Sequence, residues 1–92
     1  METFSFLGPA TCTIPIGQHT VSIERIDNNV ARLYFVNSGI PAGFVLLNSD
    51  KKPVPPYCAS LFITWTESYE LYFGSDMVLK LTPERRLQLR PI

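Results

Sequence analysis

From Leu61 to Leu89 nearly every large apolar residue falls on an odd-numbered position. Leu61, Ile63, Trp65, Tyr69, Leu71, Phe73, Met77, Leu79, Leu81, Leu87 and Leu89 share one parity. Side chains alternate faces along a β-strand, so residues of one parity line one face, whereas an amphipathic helix needs spacings of three and four. The stripe therefore reads as extended structure with one buried side. Prolines at positions 9, 15, 41, 53, 55, 56, 83 and 91 punctuate the rest of the chain. Proline removes a helical hydrogen bond and clashes with the preceding turn. Most of the intervening pieces are rich in β-branched and aromatic residues, and none forms an amphipathic pattern of ten or more residues. The expected fold is all-β, a small antiparallel barrel or sandwich of roughly seven short strands with little or no helix, residues 1–92 forming a single β domain.

Turn chemistry sets two registers. Asp27-Asn28-Asn29 reads as a three-residue loop, with Asn29 expected in the left-handed conformation that such loops need at their end. The register then puts Ile26 opposite Val30, Ile23 opposite Leu33, Val21 opposite Phe35 and Glu24 opposite Arg32. Apolar meets apolar and acid meets base. Further on, Gly74-Ser75-Asp76 turns Tyr69–Phe73 onto Met77–Leu81, setting Leu71 against Leu79 and Glu70 against Lys80. Pro83-Glu84-Arg85 turns the chain again, setting Leu81 against Leu87, Leu79 against Leu89 and Lys80 against Gln88. An even loop length there would place leucines opposite charges. Thr82-Pro83-Glu84 also resembles a helix start, but Leu87 and Leu89 are two apart, which favours a strand after at most one helical turn. Thr3–Leu7, Thr11–Ile16, Phe44–Asn48 and Leu61–Thr66 are further expected strands. Leu61–Phe73 is either one bent strand or two, and Ser49–Tyr57 is a stiff exposed loop.

Charged residues make up 17% of the chain, against a usual ~25%. So little charge leaves apolar or aromatic surface for a partner or a second copy. Net charge is zero but unevenly placed: Lys80, Arg85, Arg86 and Arg90 face only Glu84 within the last thirteen residues. This excludes the strongly basic class of nucleic-acid proteins and allows a local basic patch. The first residues lack the basic segment and long apolar core of a signal peptide, and no apolar run is long enough for a membrane helix. The expectation is an intracellular protein with no membrane partner, in which Cys12 and Cys58 are buried free thiols.

Motifs for chemistry are missing. There is no CxxC, Walker loop, GxGxxG or GxSxG, and no metal-ligand spacing, so no metal, cofactor or catalytic set is expected. His19 is the one histidine, and a strand-edge position explains it more economically than a Cys–His pair. Glu67 and Glu70 could suggest acid–base work, but Lys80 explains Glu70 as a cross-strand partner and a bend explains Glu67. The informative surface is the even face of the C-terminal strands, where Tyr72, Lys80, Arg86, Gln88 and Arg90 gather beside Val78. Tyrosine and arginine anchor protein interfaces because each offers area together with hydrogen bonds. The first hairpin adds a second candidate surface. Ile26, Val30, Tyr34 and Val36 are even while Val21, Ile23, Leu33 and Phe35 are odd, so the hairpin is either sandwiched inside the domain or covered by another chain.

The functional expectation is a non-enzymatic protein-binding module, an accessory or inhibitor type of protein. It would act through a sheet face or edge on another protein or on itself as a homodimer. The alternative is a small-barrel nucleic-acid binder using the basic C-terminal hairpin.

Overall fold

The structure, a computed structural model, describes residues 10–92 in full and Glu2–Ser5 as backbone. Within these residues nine strands form and no helix does: β1 (Glu2–Ser5), β2 (Thr11–Ile16), β3 (His19–Arg25), β4 (Val30–Phe35), β5 (Phe44–Leu47), β6 (Ser60–Thr64), β7 (Tyr69–Phe73), β8 (Met77–Leu81) and β9 (Arg86–Pro91). They make a five-stranded sheet of order β1-β9-β8-β7-β5 and a four-stranded sheet of order β2-β3-β4-β6. All pairings are antiparallel. No strand joins the two sheets into a cylinder, so of barrel and sandwich the chain forms the sandwich. The strand expected over Thr3–Leu7 is seen as Glu2–Ser5, and Phe6 and Leu7 lie outside the described residues.

Both expected registers form. In the first hairpin Val21 faces Phe35, Ile23 faces Leu33 and Glu24 faces Arg32, and the Ile26 N–H donates to the Val30 carbonyl at 2.9 Å. In the meander Leu71 faces Leu79, Leu79 faces Leu89, Lys80 faces Gln88 and Leu81 faces Leu87. The first loop closes differently from expectation. Asn29 is not left-handed. Instead the Asp27 carboxylate accepts from the Asn29 and Val30 N–H groups at 2.8 and 3.0 Å, folding the loop around its own side chain. In the last loop Arg85 takes the left-handed position, φ 62°, and no helical turn forms at Pro83.

Leu61–Phe73 is two strands in different sheets. Parity survives the crossing because both strands turn their odd residues inward. Ile14, Ile23, Leu33, Leu46, Ile63, Leu71, Leu79, Leu81 and Leu87 are all but fully buried between the sheets. Each such side chain contributes about 1.5–3 kcal/mol of hydrophobic stabilisation. The first hairpin is not sandwiched on both sides. Its odd face joins this core, while Ile26 and Val36 are exposed and Val30 and Tyr34 half-buried on the outside.

The sheet edges are blunted. In β2, the Arg25 N–H bond to the Ala10 carbonyl sets the ladder phase, so Pro15 falls where an N–H would point outward and no ladder bond is lost. Along β5 the proline-containing loop folds back. The Val54 N–H donates to the Leu46 carbonyl at 2.8 Å and the Asn48 N–H to the Lys52 carbonyl at 2.9 Å. The expected stiff loop is therefore an edge cover.

Candidate functional site

The outer face of the five-stranded sheet is built by strand alternation alone. Because Leu71, Leu79, Leu81, Leu87 and Leu89 point inward, the residues between them point out. The register lines up Val45, Tyr72, Val78 and Arg90 in one row across β5, β7, β8 and β9, and Leu47, Glu70, Lys80 and Gln88 in the next. Neighbouring strands lie ~4.8 Å apart, so each row is a continuous strip. Arg86 extends the face at the start of β9. The structure thus brings Tyr72, Lys80, Arg86, Gln88 and Arg90 together. Arg86 is exposed and the other four are half-buried, while Val78, between Tyr72 and Arg90, is 2% exposed without belonging to the inner core.

Electrostatics here differ from the expected pairing. Glu70 faces Lys80 in register, but its carboxylate is taken by the Lys51 ammonium. Lys51 reaches it from the loop after β5, where its backbone is left-handed at φ 62°. That loop is shaped by Asn48, whose side-chain oxygen accepts from the Asp50 and Lys52 N–H groups at 2.9 and 3.1 Å. Ser49 ties it to β7's approach by donating its hydroxyl and N–H to Glu67 at 2.6 and 3.2 Å. The Lys51 hydrogen bond, and more weakly the charges of Lys80 and Arg90, hold the Glu70 carboxyl below the usual glutamate range against the opposing effect of its burial. The two hydrogen bonds from Ser49 lower Glu67 as well. Sequence reasoning missed Lys51 because a loop residue obeys no parity rule.

With Glu70 committed to Lys51, the side chains of Lys80, Arg86 and Arg90 make no ion pair among the described residues. A concavity of about 290 Å³ is lined by Asn48, Ser49, Lys51, Glu70 and Lys80 among others, and neither Arg86 nor Arg90 reaches it. Among the described residues the face presents cations from two adjacent strands, β8 and β9, and the Glu70 carboxylate already paired with Lys51.

The residues considered for catalysis lie apart from this face. His19 packs edge-on against Phe35 and Phe44, ring centroids 6.2 and 5.3 Å away. It lines a shallow concavity of about 320 Å³ of mixed character, with Phe44, Phe73 and Met77 but also Gln18 and Asp76, which neither cysteine reaches. Cys12 faces Ile23. It is partly buried, and that burial raises its thiol pKa. Cys58, expected inside, is exposed. It sits with Ala59 in a tight turn, both left-handed, closed by reciprocal hydrogen bonds between Tyr57 and Ser60. A two-residue hairpin turn points its central side chains to solvent, which overrides the apolar preference of the thiol. Among the described residues no group of His, Cys, Asp and Glu is placed to hold a metal, and no helix is long and apolar enough to cross a membrane. Comparison with known proteins returned no matching family model, no matching curated protein and no matching solved structure.

Proposed function

We propose that the chain is a protein-binding module that recognises an acidic surface of another protein through the outer face of its five-stranded sheet. The observation that carries this reading is the charge of Lys80, Arg86 and Arg90, which make no ion pair among the described residues, on the face that also carries the half-buried ring of Tyr72. Cations satisfied within a fold stay silent toward partners. Cations held on a rigid sheet without an internal acid steer a negatively charged partner in and then pair with it. Tyr72 supplies apolar area and a hydroxyl to one side of the cations, the combination favoured at interface anchors, and the exposed Val45 beside it extends the apolar strip. Such a surface fits an accessory or inhibitor protein.

The test is capture of a partner by the full chain and by the Tyr72→Ala/Arg90→Ala double variant. Both residues lie on the outer side of the sheet, so the variant should keep the β circular-dichroism spectrum of the wild type. The expected result is at least a ~10-fold loss of affinity for the captured partner. Undiminished binding by the folded double variant would remove this face from consideration. A nucleic-acid role of the same cations makes a different prediction, affinity for oligonucleotides that falls steeply with salt. A titration against single- and double-stranded oligonucleotides at low salt separates the two readings.

A further inference from the structure

The segment Lys52-Pro53-Val54-Pro55-Pro56-Tyr57 is explained only in part by its work as a cover for the β5 edge. That work uses the Val54 N–H on the Leu46 carbonyl, the Lys52 carbonyl under the Asn48 N–H, and the Val54 side chain, which packs half-buried against the core. It makes no use of Pro55 or Pro56. Pro53, Pro55, Pro56 and Tyr57 are all exposed, Tyr57 at 69%. Proline holds φ near about −65°, and the residue before a proline is pushed out of the helical region. Lys52, Val54 and Pro55 each precede a proline. Pro53 is extended in a bridge to Leu47, and no helix or turn interrupts residues 53–56. The chain is therefore held in an extended path of the polyproline II type.

Such a path repeats about every three residues. Pro53 and Pro56 then share one edge, Pro55 takes the second and Val54 the third. The Val54 edge is turned to the core, and the other two are open to solvent. Hydrogen-bonding groups are just as one-sided. Pro53, Pro55 and Pro56 have no N–H, and the Val54 and Tyr57 N–H groups are taken by the Leu46 and Ser60 carbonyls, each at 2.8 Å. The carbonyls of residues 53–56 accept no hydrogen bond among the described residues. The backbone ridge thus offers apolar ring edges and acceptors but no donors. A partner strand needs donors as well as acceptors along its length, so strand addition cannot use this ridge. The complementary surface has flat slots between aromatic rings and side-chain donors, such as tyrosine O–H or tryptophan N–H, aimed at the carbonyls.

We infer that the ridge from Pro53 to Tyr57 is a ligand for a protein domain that reads polyproline II segments through an aromatic-lined groove, the class to which SH3 and WW domains belong. The groove straddles the two open edges while the third stays anchored on the sandwich by Val54. The Val54 and Tyr57 hydrogen bonds hold the segment in its bound form beforehand, so docking orders little further chain. Lys52 is exposed and makes no ion pair among the described residues, which favours a groove with an acidic flank. Few residues touch in such a contact, so it is weak and readily reversed. Nothing in it depends on the basic face of the five-stranded sheet.

The test is an NMR titration of the isotope-labelled full chain with a panel of purified SH3 and WW domains. At least one domain is expected to bind and to shift the Val54, Tyr57 and Cys58 amides, and an oligoproline peptide should displace the chain from it. Pro56→Ala lies outside the bridge to Leu47, so this variant should keep the spectrum of the folded chain while losing ~10-fold or more in affinity. Pro53→Ala combined with Pro56→Ala should lose more. Ile26→Ser, in the first hairpin of the other sheet, should bind as wild type does. A panel in which no domain binds overturns the inference. So does binding that survives both alanines in a folded chain, that oligoproline does not displace, or that shifts the amides of β8 and β9 in place of those around Tyr57. Capture of an acidic partner by the basic face is measured separately, so either proposal can fail while the other stands.

Discussion

Arg32 and Arg90 stand on the two outer faces, Arg32 against the Tyr34 ring and Arg90 separated from Tyr72 by Val78, and they do different things. Arg32 is held by Glu24, by Ser60 and by the Tyr34 ring. Arg90 stands in the row of Tyr72 and Val78 and makes no ion pair among the described residues; it feels the Glu70 carboxylate only weakly, and that carboxylate is hydrogen-bonded by Lys51 from outside the sheet. The same alternation of side chains built both faces and turned leucines and isoleucines inward on both sheets. What separates the faces is where the acids fall. A carboxylate opposite an arginine consumes the charge in the plane and leaves a dry surface suited to apolar contact. A carboxylate captured by a loop lysine leaves neighbouring cations hydrated and available. The sign and reach of a sheet face thus depend on one or two pairings rather than on its total charge.

Truncation inside the sandwich should be the largest effect and should not distinguish the sheets. Leu33 on β4 and Leu71 on β7 are both fully buried. Leu33→Ala and Leu71→Ala are each expected to lower unfolding free energy by about 2–5 kcal/mol in urea titrations. A cost below about 1 kcal/mol at either site would mean that its sheet does not share the common core.

Truncation of the two arginines should separate the faces by a smaller margin. Arg32→Ala removes a part-exposed ion pair, a hydrogen bond and a cation–π contact, together worth about 1–2 kcal/mol. Arg90→Ala removes none of these and should stay within about 0.5 kcal/mol. Equal costs in thermal or urea unfolding would erase the contrast between a consumed and an idle charge. In partner binding the order should reverse, with Arg90→Ala weakening capture and Arg32→Ala leaving it alone.

The elements that sequence resolved were those governed by parity and turn chemistry together. Glu24 against Arg32, Lys80 against Gln88 and Leu81 against Leu87 all follow from side-chain alternation once a loop length is chosen. The five residues of the basic face were legible for the same reason. Three features were not. Lys51 meets Glu70 because of a left-handed backbone within an irregular loop, for which lysine carries no local signal. Cys58 and Ala59 form a tight hairpin turn without the Asn or Gly that usually marks one. Trp65–Ser68 carries the chain from one sheet to the other, a change that inward parity on both strands conceals. In each case a tertiary contact or a backbone conformation decided the outcome, and composition was neutral.

The smallest expected effect tests the loop capture that sets the basic face apart. In the folded chain the Glu70 carboxyl lies below its ordinary range, chiefly through the Lys51 hydrogen bond. The unfolded chain therefore takes up this proton first as pH falls. The stabilisation is complete above the ordinary glutamate value and is lost as pH drops through the folded one. Lys51 is raised by the same bond, so its contribution is present below the ordinary lysine value and is lost only as pH rises through the folded one, well into the alkaline range. Melting temperature should be flat near neutrality and decline at both ends. Glu70→Gln should shallow the acid decline without abolishing it, because Glu67 is also lowered by its bonds from Ser49. Ser49→Ala combined with Glu70→Gln should flatten it further. Lys51 is largely exposed, so added salt should weaken the Glu70 part in the wild type. An acid decline identical in wild type and Glu70→Gln would mean that Lys51 does not hold this carboxylate in solution. Glu70 would then be free to pair with Lys80, and the face would lose part of the idle charge on which the proposed binding role rests.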